Sequence, residues 1–470
     1  MTVRSDRAKL LHRAMAPIAT DFIAASEAAD ADFGVVEHAT ALALDRMRRL
    51  FVTAGLTAAV EETQAFHCPD CSHPLSAWNL GSRTIATAQG DGSYPAIRYR
   101  CNACDRDHYP VEVANGLDGD RFTTGAKAVV ADAAADMPYA HVSSKLGQSR
   151  AISVSAKEVD RTAREVAGWR AEEEKALVDA VFGEAACSAR LNDIDLLASA
   201  PNLHAMQGWE PKTPALISVD GGNVRSTEKG PDSLLWFECR AGIIAPAECA
   251  SAGRKAYFGG ILSPDELFDK IAAAWRRGDN ADRPIVFAAD FGNWIWSRVR
   301  FHFPNAIQVL DIYHAGEHVA SAAKACWGEG SATARRWKSS ARDMLLQKGG
   351  PLAIVRALTR VLRAGTATDA EEVRKEFRYL FANRHRMPYA ELYERGLPIG
   401  SGAMESAIKQ ACVSRLRQPG MKWTKSGAHA ILVLRCAKLS GTLAETNERK
   451  HQSLKAKIQP YLAAKQLIAA

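Results

Sequence analysis

The sequence has no long apolar run, and no stretch approaches the roughly 20 residues that a helix needs to span a bilayer. It also lacks the apolar core of a signal peptide, because Arg13 and Asp21 interrupt the region where that core would lie. These absences argue against a membrane protein and a secreted protein. We therefore expect a cytoplasmic protein whose 10 cysteines remain reduced and available as metal ligands.

A large excess of one charge is absent as well, since the formal net charge is only +7, and this value alone does not imply a polyanionic partner. A hydrophobic content of 47% with 24% charged residues excludes a disordered chain. At 470 residues the chain exceeds what one ordinary core accommodates, so several domains are expected. From Ser401 onward, twelve Lys and Arg residues outnumber three Glu residues. This distribution predicts a basic C-terminal surface suited to phosphates.

Residues 1–62 are rich in alanine and have a helical pattern of apolar residues. We expect a helical packing or dimerisation element, and nothing in this region suggests catalysis. Its apolar positions are expected to be buried; they are Phe22, Val35, Leu42, Met47, Leu50 and Phe51.

Two C-x-x-C pairs lie within residues 63–115 and predict a zinc ribbon. Four thiolates close a tetrahedral Zn²⁺ site without an open position, so this metal would be structural; they are Cys68, Cys71, Cys101 and Cys104. Unligated thiols and a redox pair are the alternatives, although two pairs at this spacing fit ligation better. Strands are predicted around Thr84–Ala88 and Ala96–Arg100, with a turn at Gly90–Ser93 between them.

Residues 120–200 are predicted to form three short helices followed by linker helices. The three are Ala126–Ala135, Tyr139–Leu146 and Ser155–Val166. Gly147 is expected to end the second helix, and Ser155 with Glu158 forms a predicted capping box at the start of the third. We interpret the third helix as the DNA-reading helix of a helix-turn-helix, with a basic face of Lys157, Arg161 and Arg164. A linker with a solvated basic face is the alternative.

Residues 210–314 combine apolar, strand-like runs with helical segments. The runs are Ala215–Gly222, Leu234–Cys239, Ala241–Ala245, Tyr257–Leu262, Ile285–Ala289 and Ala306–Leu310, with a helix from Pro264 to about Arg277. This succession predicts an α/β fold with a ribonuclease-H-like core. Residues 315–397 are predicted to be a helical insertion, 398–441 the C-terminal helices of the same core, and 442–470 a basic tail.

Three acidic residues are the candidates for catalysis: Asp220, Asp290 and Glu405. The first and fourth strands of such a core are neighbours, so the two aspartates should face each other, and the glutamate can join them from a later helix. Three carboxylates suit two Mg²⁺ or Mn²⁺ ions about 4 Å apart, which promote in-line phosphoryl displacement. Asp311 is the alternative to Asp290 as the second catalytic aspartate, but it closes a strand that lies farther from the first strand. A turn or helix-capping role is the alternative for each acid.

Two further sets of residues have predicted supporting roles. His314, three residues after Asp311, is expected to orient a neighbouring group or contact DNA, and a structural histidine is the alternative. For the C-terminal basic residues we predict phosphate contacts, with a solvated face as the alternative; they are Lys409, Arg415, Arg417, Lys422 and Lys425.

Taken together, the acidic motifs resemble the DDE transposases of bacterial insertion sequences. The motifs are Val219-Asp220-Gly221, Ala289-Asp290 with Phe303-Pro304 downstream, Asp311-x-x-His314 and Gly400-Ser-Gly-Ala-Met-Glu405-Ser. The likeness is closest to the Mutator-like superfamily, and the segment from Arg384 to Trp423 resembles its Kra-type family. The resemblance covers roughly residues 60–441, and its motifs are specific only in combination.

By this resemblance, Asp220, Asp290 and Glu405 would be the metal-binding triad, and Asp311 with His314 an accessory element. The resemblance also implies cysteine pairs and a helix-turn-helix ahead of the core, and a helical module after the fifth strand. One departure is Ala289-Asp290-Phe291-Gly292, where family members more often have Asp-Gly directly.

The implied activity is transposition, in which the protein binds element ends and target as double-stranded DNA, cleaves with Mg²⁺ and joins a 3′-hydroxyl to the target. The expected working form is a homodimer or a higher synaptic complex, associated with the nucleoid when bound to DNA. A domesticated sequence-specific DNA-binding protein without catalysis and a ribonuclease-H-like nuclease are the alternatives, and metal-dependent nicking separates the first of them from a transposase.

Overall fold

The computed structural model describes residues 2–28, 32–65, 67–117, 119–183, 209, 213–227, 235–247, 255–278, 280, 283–290 and 292–461. The chain divides into two units, one made of residues 1–166 with 444–470 and the other of residues 167–443. The described residues form helices and two β-sheets, which confirms the predicted mixed α/β class. Residues 184–200 of the predicted linker helices and 462–470 of the predicted basic tail lie outside the described residues.

The first unit begins with two long helices, α1 (Thr2–Ser26) and α2 (Phe33–Glu62). The helical prediction for residues 1–62 is therefore confirmed. The predicted burial is wrong for Val35, Leu42 and Phe51, whose side chains are exposed. The helical period assigns these residues to a face of the helix, but it does not determine whether another element covers that face.

Three antiparallel strands follow in the order β1 (Leu75–Thr87), β2 (Gly90–Cys101) and β3 (Arg106–His108). The turn falls three residues earlier than predicted, because Thr87 pairs with Gly90 and the segment Gly90–Ser93 lies within β2. Gly90 has a φ of +120°, a conformation that favours glycine. A short helix, α3 (Pro110–Asn115), follows the sheet.

The three predicted helices are present as α4 (Thr124–Asp136), α5 (Tyr139–Arg150) and α6 (Ala156–Phe182). The Ser155–Glu158 capping box is confirmed, since each backbone N–H donates to the other side chain, at 2.8 and 3.2 Å. Gly147 does not end α5, which continues to Arg150 and is capped by Ala151 in the left-handed region. A single glycine costs a helix only about 1 kcal/mol, so it is a weak stop signal.

The second unit contains a five-stranded sheet in the order β6-β5-β4-β7-β8. The strands are β4 (Ala215–Arg225), β5 (Trp236–Pro246), β6 (Ala256–Gly260), β7 (Ile285–Ala289) and β8 (Ile307–Leu310). Strands β4, β5 and β6 are antiparallel, whereas β7 and β8 run parallel to β4. The two runs predicted on either side of Arg240 are one strand, because Arg240 pairs with both Gly221 and Gly260.

Alternate residues of β7 enter two different hydrophobic cores, so both faces of the sheet are covered. Phe287 and Ala289 pack with α7 (Pro264–Arg277) and α8 (Asn293–His302). Val286 and Ala288 pack on the other face with α9 (Ile312–Trp327) and the helices after it. The predicted start of α7 at Pro264 is confirmed.

The segment predicted as an insertion is helical. After α9 it contains α10 (Ala332–Leu345), α11 (Gly350–Ala364), α12 (Ala370–Asn383) and α13 (Tyr389–Glu394). Helix α14 (Gly402–Ile408) continues through a π-helical turn, Lys409–Val413, into α15 (Ser414–Leu416). Helices α16 (Lys425–Leu439) and α17 (Leu443–Lys457) follow. None of the described helices combines the length and the apolar composition that a bilayer crossing requires.

Candidate active site and metal centre

Asp220 and Asp290 lie on neighbouring parallel strands. The pairing of β4 with β7 runs from Ala215 opposite Ile285 to Ile217 opposite Phe287. Asp220 lies three residues beyond Ile217, and Asp290 lies three residues beyond Phe287. The two aspartates therefore occupy equivalent positions on neighbouring strands, which is the relationship expected from the sequence, although β4 continues for five residues beyond Asp220 whereas β7 ends just before Asp290.

The two carboxylates influence each other electrostatically. Burial raises the pKa of Asp220 to about 6, and the charge of Asp290 adds to this effect, while the Gly221 N–H opposes it by donating to Asp220 Oδ1 at 2.7 Å. Burial also raises the pKa of Asp290, although the charge of His314 opposes the shift. The raised pKa of Asp220 indicates that little positive charge surrounds this carboxylate, and a divalent cation would supply it.

His314 connects the site to α9. Its Nε2 lies 2.8 Å from Asp290 Oδ2, and its Nδ1 lies 3.1 Å from Glu317 Oε2. Burial by itself lowers the pKa of His314, but the carboxylates of Asp290 and Glu317 outweigh burial and raise it. Because both ring nitrogens face carboxylate oxygens, the imidazolium is the form that satisfies both contacts.

Asp311 is buried, and both of its carboxylate oxygens accept hydrogen bonds. Oδ1 accepts from the backbone N–H groups of Tyr313 and His314, at 2.7 and 3.0 Å, which caps α9. Oδ2 accepts from the backbone N–H and the hydroxyl of Ser401, at 2.5 and 2.8 Å. A Cβ at Gly400 would lie 3.1 Å from the same oxygen, so glycine allows this close approach. Asp311 thus positions other groups and has no free oxygen directed at a metal.

Glu405 lies in the first turn of α14, four residues after Ser401. This helix packs against β4, the strand that contains Asp220, and against the neighbouring strand β5. Its buried face includes Met404 and Ala407, while the Glu405 side chain is exposed. The helix that contains Glu405 therefore packs against the strand that contains Asp220, while the charge of Glu405 remains exposed.

The three carboxylates offer the hard oxygen donors that Mg²⁺ and Mn²⁺ prefer. They do not meet around one point in this conformation. In the part of the chain that the structure describes, only two groups have three or more ligand atoms within 4.8 Å of one another, and both contain Cys68. A shared ion would require at least one of the carboxylate side chains to turn, and exposed Glu405 has the freedom to do so.

The four predicted zinc ligands lie together at one end of the first sheet. Cys68 Sγ is 3.6 Å from Cys104 Sγ, and Cys71 Sγ is 3.4 Å from Cys101 Sγ. Ligands about 2.3 Å from a tetrahedral zinc would lie at similar separations. Backbone N–H groups of Cys104 and Ala103 help to lower the pKa of Cys101 to about 6. This cluster can hold a metal such as Zn²⁺.

The second group of candidate ligands adds His108 to the environment of the cluster. Its Nε2 lies 3.4 Å from Cys68 Sγ, and its Nδ1 lies 3.2 Å from the Tyr461 hydroxyl. Asp70 completes this group. Four cysteines suffice for a closed site, so His108 lies next to these candidate ligands and links them to the segment after α17.

The three basic residues predicted to read DNA differ in their surroundings. Lys157 is exposed at the start of α6. Arg161 lies 3.0 Å from Asp120, and Arg164 lies 2.9 Å from Asp160, so both guanidinium groups have acidic partners. The basic face of α6 is therefore partly neutralised.

One of the five basic residues predicted to contact phosphates is not accessible. Arg415 is only 1% exposed, and its guanidinium carbon lies 5.0 Å from the centre of the Trp423 ring, which corrects the prediction for this residue. Arg417 is exposed, although its Nε donates to the Asn223 carbonyl at 2.6 Å. The other three residues are exposed: Lys409, Lys422 and Lys425.

Sequence reasoning missed two residues of the site, Glu317 and Ser401. Glu317 follows His314 by three residues in a helix, and this spacing could have indicated the contact. Ser401 lies within the Gly-Ser-Gly motif, but its bond to Asp311 joins segments 90 residues apart and left no local signal.

No model of a known protein family matches the chain, and no curated protein is significantly similar to it.

Proposed function

We propose that the protein is a DNA transposase of an insertion sequence that cleaves and joins DNA with Mg²⁺ or Mn²⁺. The observation that supports this best is the equivalent placement of Asp220 and Asp290 on adjacent parallel strands. The strand order also supports a ribonuclease-H-like core, since three antiparallel strands are followed by two parallel strands on the side of the first. This is the scaffold implied by the resemblance to the Mutator-like and Kra-type DDE transposases.

In this proposal, Asp220, Asp290 and Glu405 would hold the metal ions. Bound Mg²⁺ would activate the attacking oxygen and stabilise the charge that develops on the phosphate. Asp311 positions the segment before Glu405 through Ser401, and it caps the helix that contains His314. His314 orients the Asp290 carboxylate through its Nε2.

DNA binding is proposed for exposed basic residues in both units. Lys157 of the proposed helix-turn-helix belongs to the first unit, and Lys409, Arg417, Lys422 and Lys425 belong to the second. Phosphate contacts of this kind act on any DNA sequence and weaken as the salt concentration rises. The proposed Zn²⁺ would fold the ribbon and take no part in the chemistry.

A DNA-binding protein without catalysis is the second candidate. The ion pair of Asp290 with His314 favours it, because this pair satisfies Asp290 without a metal. The two candidates differ in whether the protein cleaves DNA when a divalent ion is present.

The test is a nicking and strand-transfer assay on the DNA that flanks the gene, with and without Mg²⁺. Asp220→Asn and Asp290→Asn should each lower the rate by at least about a hundredfold, a size typical of lost metal ligands. Asp343→Asn is the matched control, because Asp343 is an exposed acid of α10 outside the site. Full strand transfer by Asp290→Asn would refute the catalytic assignment, and DNA binding without Mg²⁺-dependent cleavage would support the second candidate.

A further inference from the structure

A cavity of about 740 Å³ opens where the β4–β5 hairpin meets the segment after α14. Its volume lies within the range of small-molecule sites, roughly 300–1,000 Å³. The metal-site residues do not line it. Its walls are formed by strand residues Asn223, Arg225, Trp236, Phe237 and Glu238, and by Leu416, Arg417, Gln418, Gly420 and Met421.

One of the two aromatic residues that line this cavity is unusual because it remains accessible. Trp236 is 51% exposed, although tryptophan is a large apolar side chain. It lies directly opposite Arg225 in the antiparallel pair, so the two side chains share one face of the hairpin. Leu416, Phe237 and Met421 add an apolar surface.

The charge of the cavity is suited to an anion. Arg225 and Arg417 are exposed and contribute two positive charges. Among the described residues that line the cavity, the one acid is Glu238, and it forms an ion pair with Arg240, which is not among them. Arg417 is also held in place, because its Nε donates to the Asn223 carbonyl at 2.6 Å. The lining therefore combines an apolar face with a positive edge.

We propose that this cavity binds an unpaired nucleotide of the DNA, with its base stacked on Trp236 and its phosphate held by Arg225 and Arg417. Stacking on an aromatic ring accepts any base, and arginine is the usual partner of the backbone phosphate. This inference rests on the proposed function, because it assumes that DNA is the substrate.

The position of the cavity specifies where the nucleotide would lie. Trp236 is paired with Arg225, and Arg225 lies five residues beyond Asp220 on β4. At about 3.3 Å per strand residue, the two points are about 17 Å apart, the length of about five base pairs of duplex. The unpaired nucleotide would therefore lie within about five nucleotides of the phosphate that is cleaved.

The experiment compares three fluorescent DNA probes that bind the full-length protein. The first is a blunt duplex, the second is the same duplex with a four-nucleotide single-stranded tail, and the third has the same tail with abasic sugars. The abasic tail keeps every phosphate and removes only the bases. Wild-type protein should bind the normal tail about tenfold more tightly than the abasic tail, since one stacked base contributes a factor of this size.

Trp236→Ala should abolish the difference between the two tails, and Trp236→Phe should retain most of it. Tyr393→Ala is the matched control, because Tyr393 is an exposed aromatic residue of the same unit that does not line the cavity. Unchanged melting temperatures would show that the substitutions leave the fold intact, as expected for an exposed side chain. Equal affinity of the wild-type protein for both tails would overturn the inference, as would retention of the difference by Trp236→Ala.

Other outcomes identify the alternatives. Binding of the blunt duplex and cleavage without any preference for the normal tail would overturn this inference and leave the proposed function intact. If the protein binds none of the three probes, both this inference and the proposed function are overturned. Tight binding of free dAMP that does not depend on DNA would identify a mononucleotide site and overturn the inference. A change of oligomeric state in Trp236→Ala without any effect on the tails would identify the surface as a contact between two copies, with the same consequence.

Discussion

Asp311 holds Ser401 by two hydrogen bonds, from the serine backbone N–H and hydroxyl to the same carboxylate oxygen. Ser401 precedes Glu405 by four residues, so this contact anchors the helix that contains the proposed third metal ligand to the end of β8. The other oxygen of Asp311 caps α9, the helix that contains His314. One buried carboxylate thus positions two parts of the candidate site.

Asp311→Ala should destabilise the protein by about 3 kcal/mol, because it removes a helix cap and leaves the Ser401 donors without their acceptor. Ser401→Ala should cost only about 1 kcal/mol, since the backbone N–H of residue 401 still donates to Asp311. Urea denaturation measures both changes. If Ser401→Ala lowers cleavage more than its small loss of stability explains, Asp311 acts by positioning Glu405, whereas unchanged cleavage would contradict that role.

The raised pKa of Asp220, about 6, predicts a pH dependence of metal binding. The ionised carboxylate is the ligand, so a bound cation must displace the proton. Apparent Mn²⁺ affinity should be constant above pH 7 and fall about tenfold per pH unit below pH 6. Calorimetric titration with Mn²⁺ at several pH values measures this dependence. A flat affinity between pH 5 and 8 would contradict the assignment of Asp220 as a ligand.

The same shift predicts that Asp220 destabilises the metal-free protein near neutral pH. The carboxyl binds its proton more tightly in the folded state than in the unfolded state, so stability falls as pH rises from about 4 to 6 and stays lower above that. Asp220→Asn should therefore raise stability at pH 7.5 by about 1 kcal/mol, a value reduced for partial exposure to solvent. The advantage should disappear at pH 4, and thermal unfolding at the two pH values checks this.

Zinc should stabilise only the first unit. Cys101→Ser should reduce the zinc content to well below the value of about one ion per chain expected for the wild type. It should also lower the melting temperature of the β1–β3 sheet, because the metal contributes folding energy in structural sites of this type. Cys326→Ala is the matched control, since Cys326 is a buried cysteine of the second unit. Elemental analysis measures zinc, and a full complement in Cys101→Ser would contradict ligation by Cys101.

Charge reversal at the exposed C-terminal lysines should weaken DNA binding and reduce its salt dependence. For Lys422→Glu and Lys425→Glu, the slope of log affinity against log salt concentration should decrease by about one for each lost phosphate contact. Lys348→Glu is the control, because Lys348 forms its ion pair with Glu394 outside this region. Arg415→Met should instead lower the free energy of unfolding, since Arg415 is buried against Trp423. An unchanged salt slope for both lysine variants would contradict the phosphate contacts.

The sequence by itself determined the features that arise between residues close together in the chain. The Ser155–Glu158 capping box needs two residues three positions apart. The runs that end before Asp220, Asp290 and Asp311 were recognisable as strands because apolar, β-branched residues favour extended structure. The cysteine pairs were recognisable because a C-x-x-C turn brings two thiols to one metal.

Only the tertiary structure decided which residues are covered and which charges meet. Arg415 is buried and Phe51 exposed, although each belongs to a residue type with the opposite tendency, because burial depends on elements far away in the sequence. His314 meets Asp290 across two strand ends, and Asp311 meets Ser401 across a helical segment of many residues. The register of β4 with β7 aligns the two aspartates, and that register is set by the packing of both faces of the sheet.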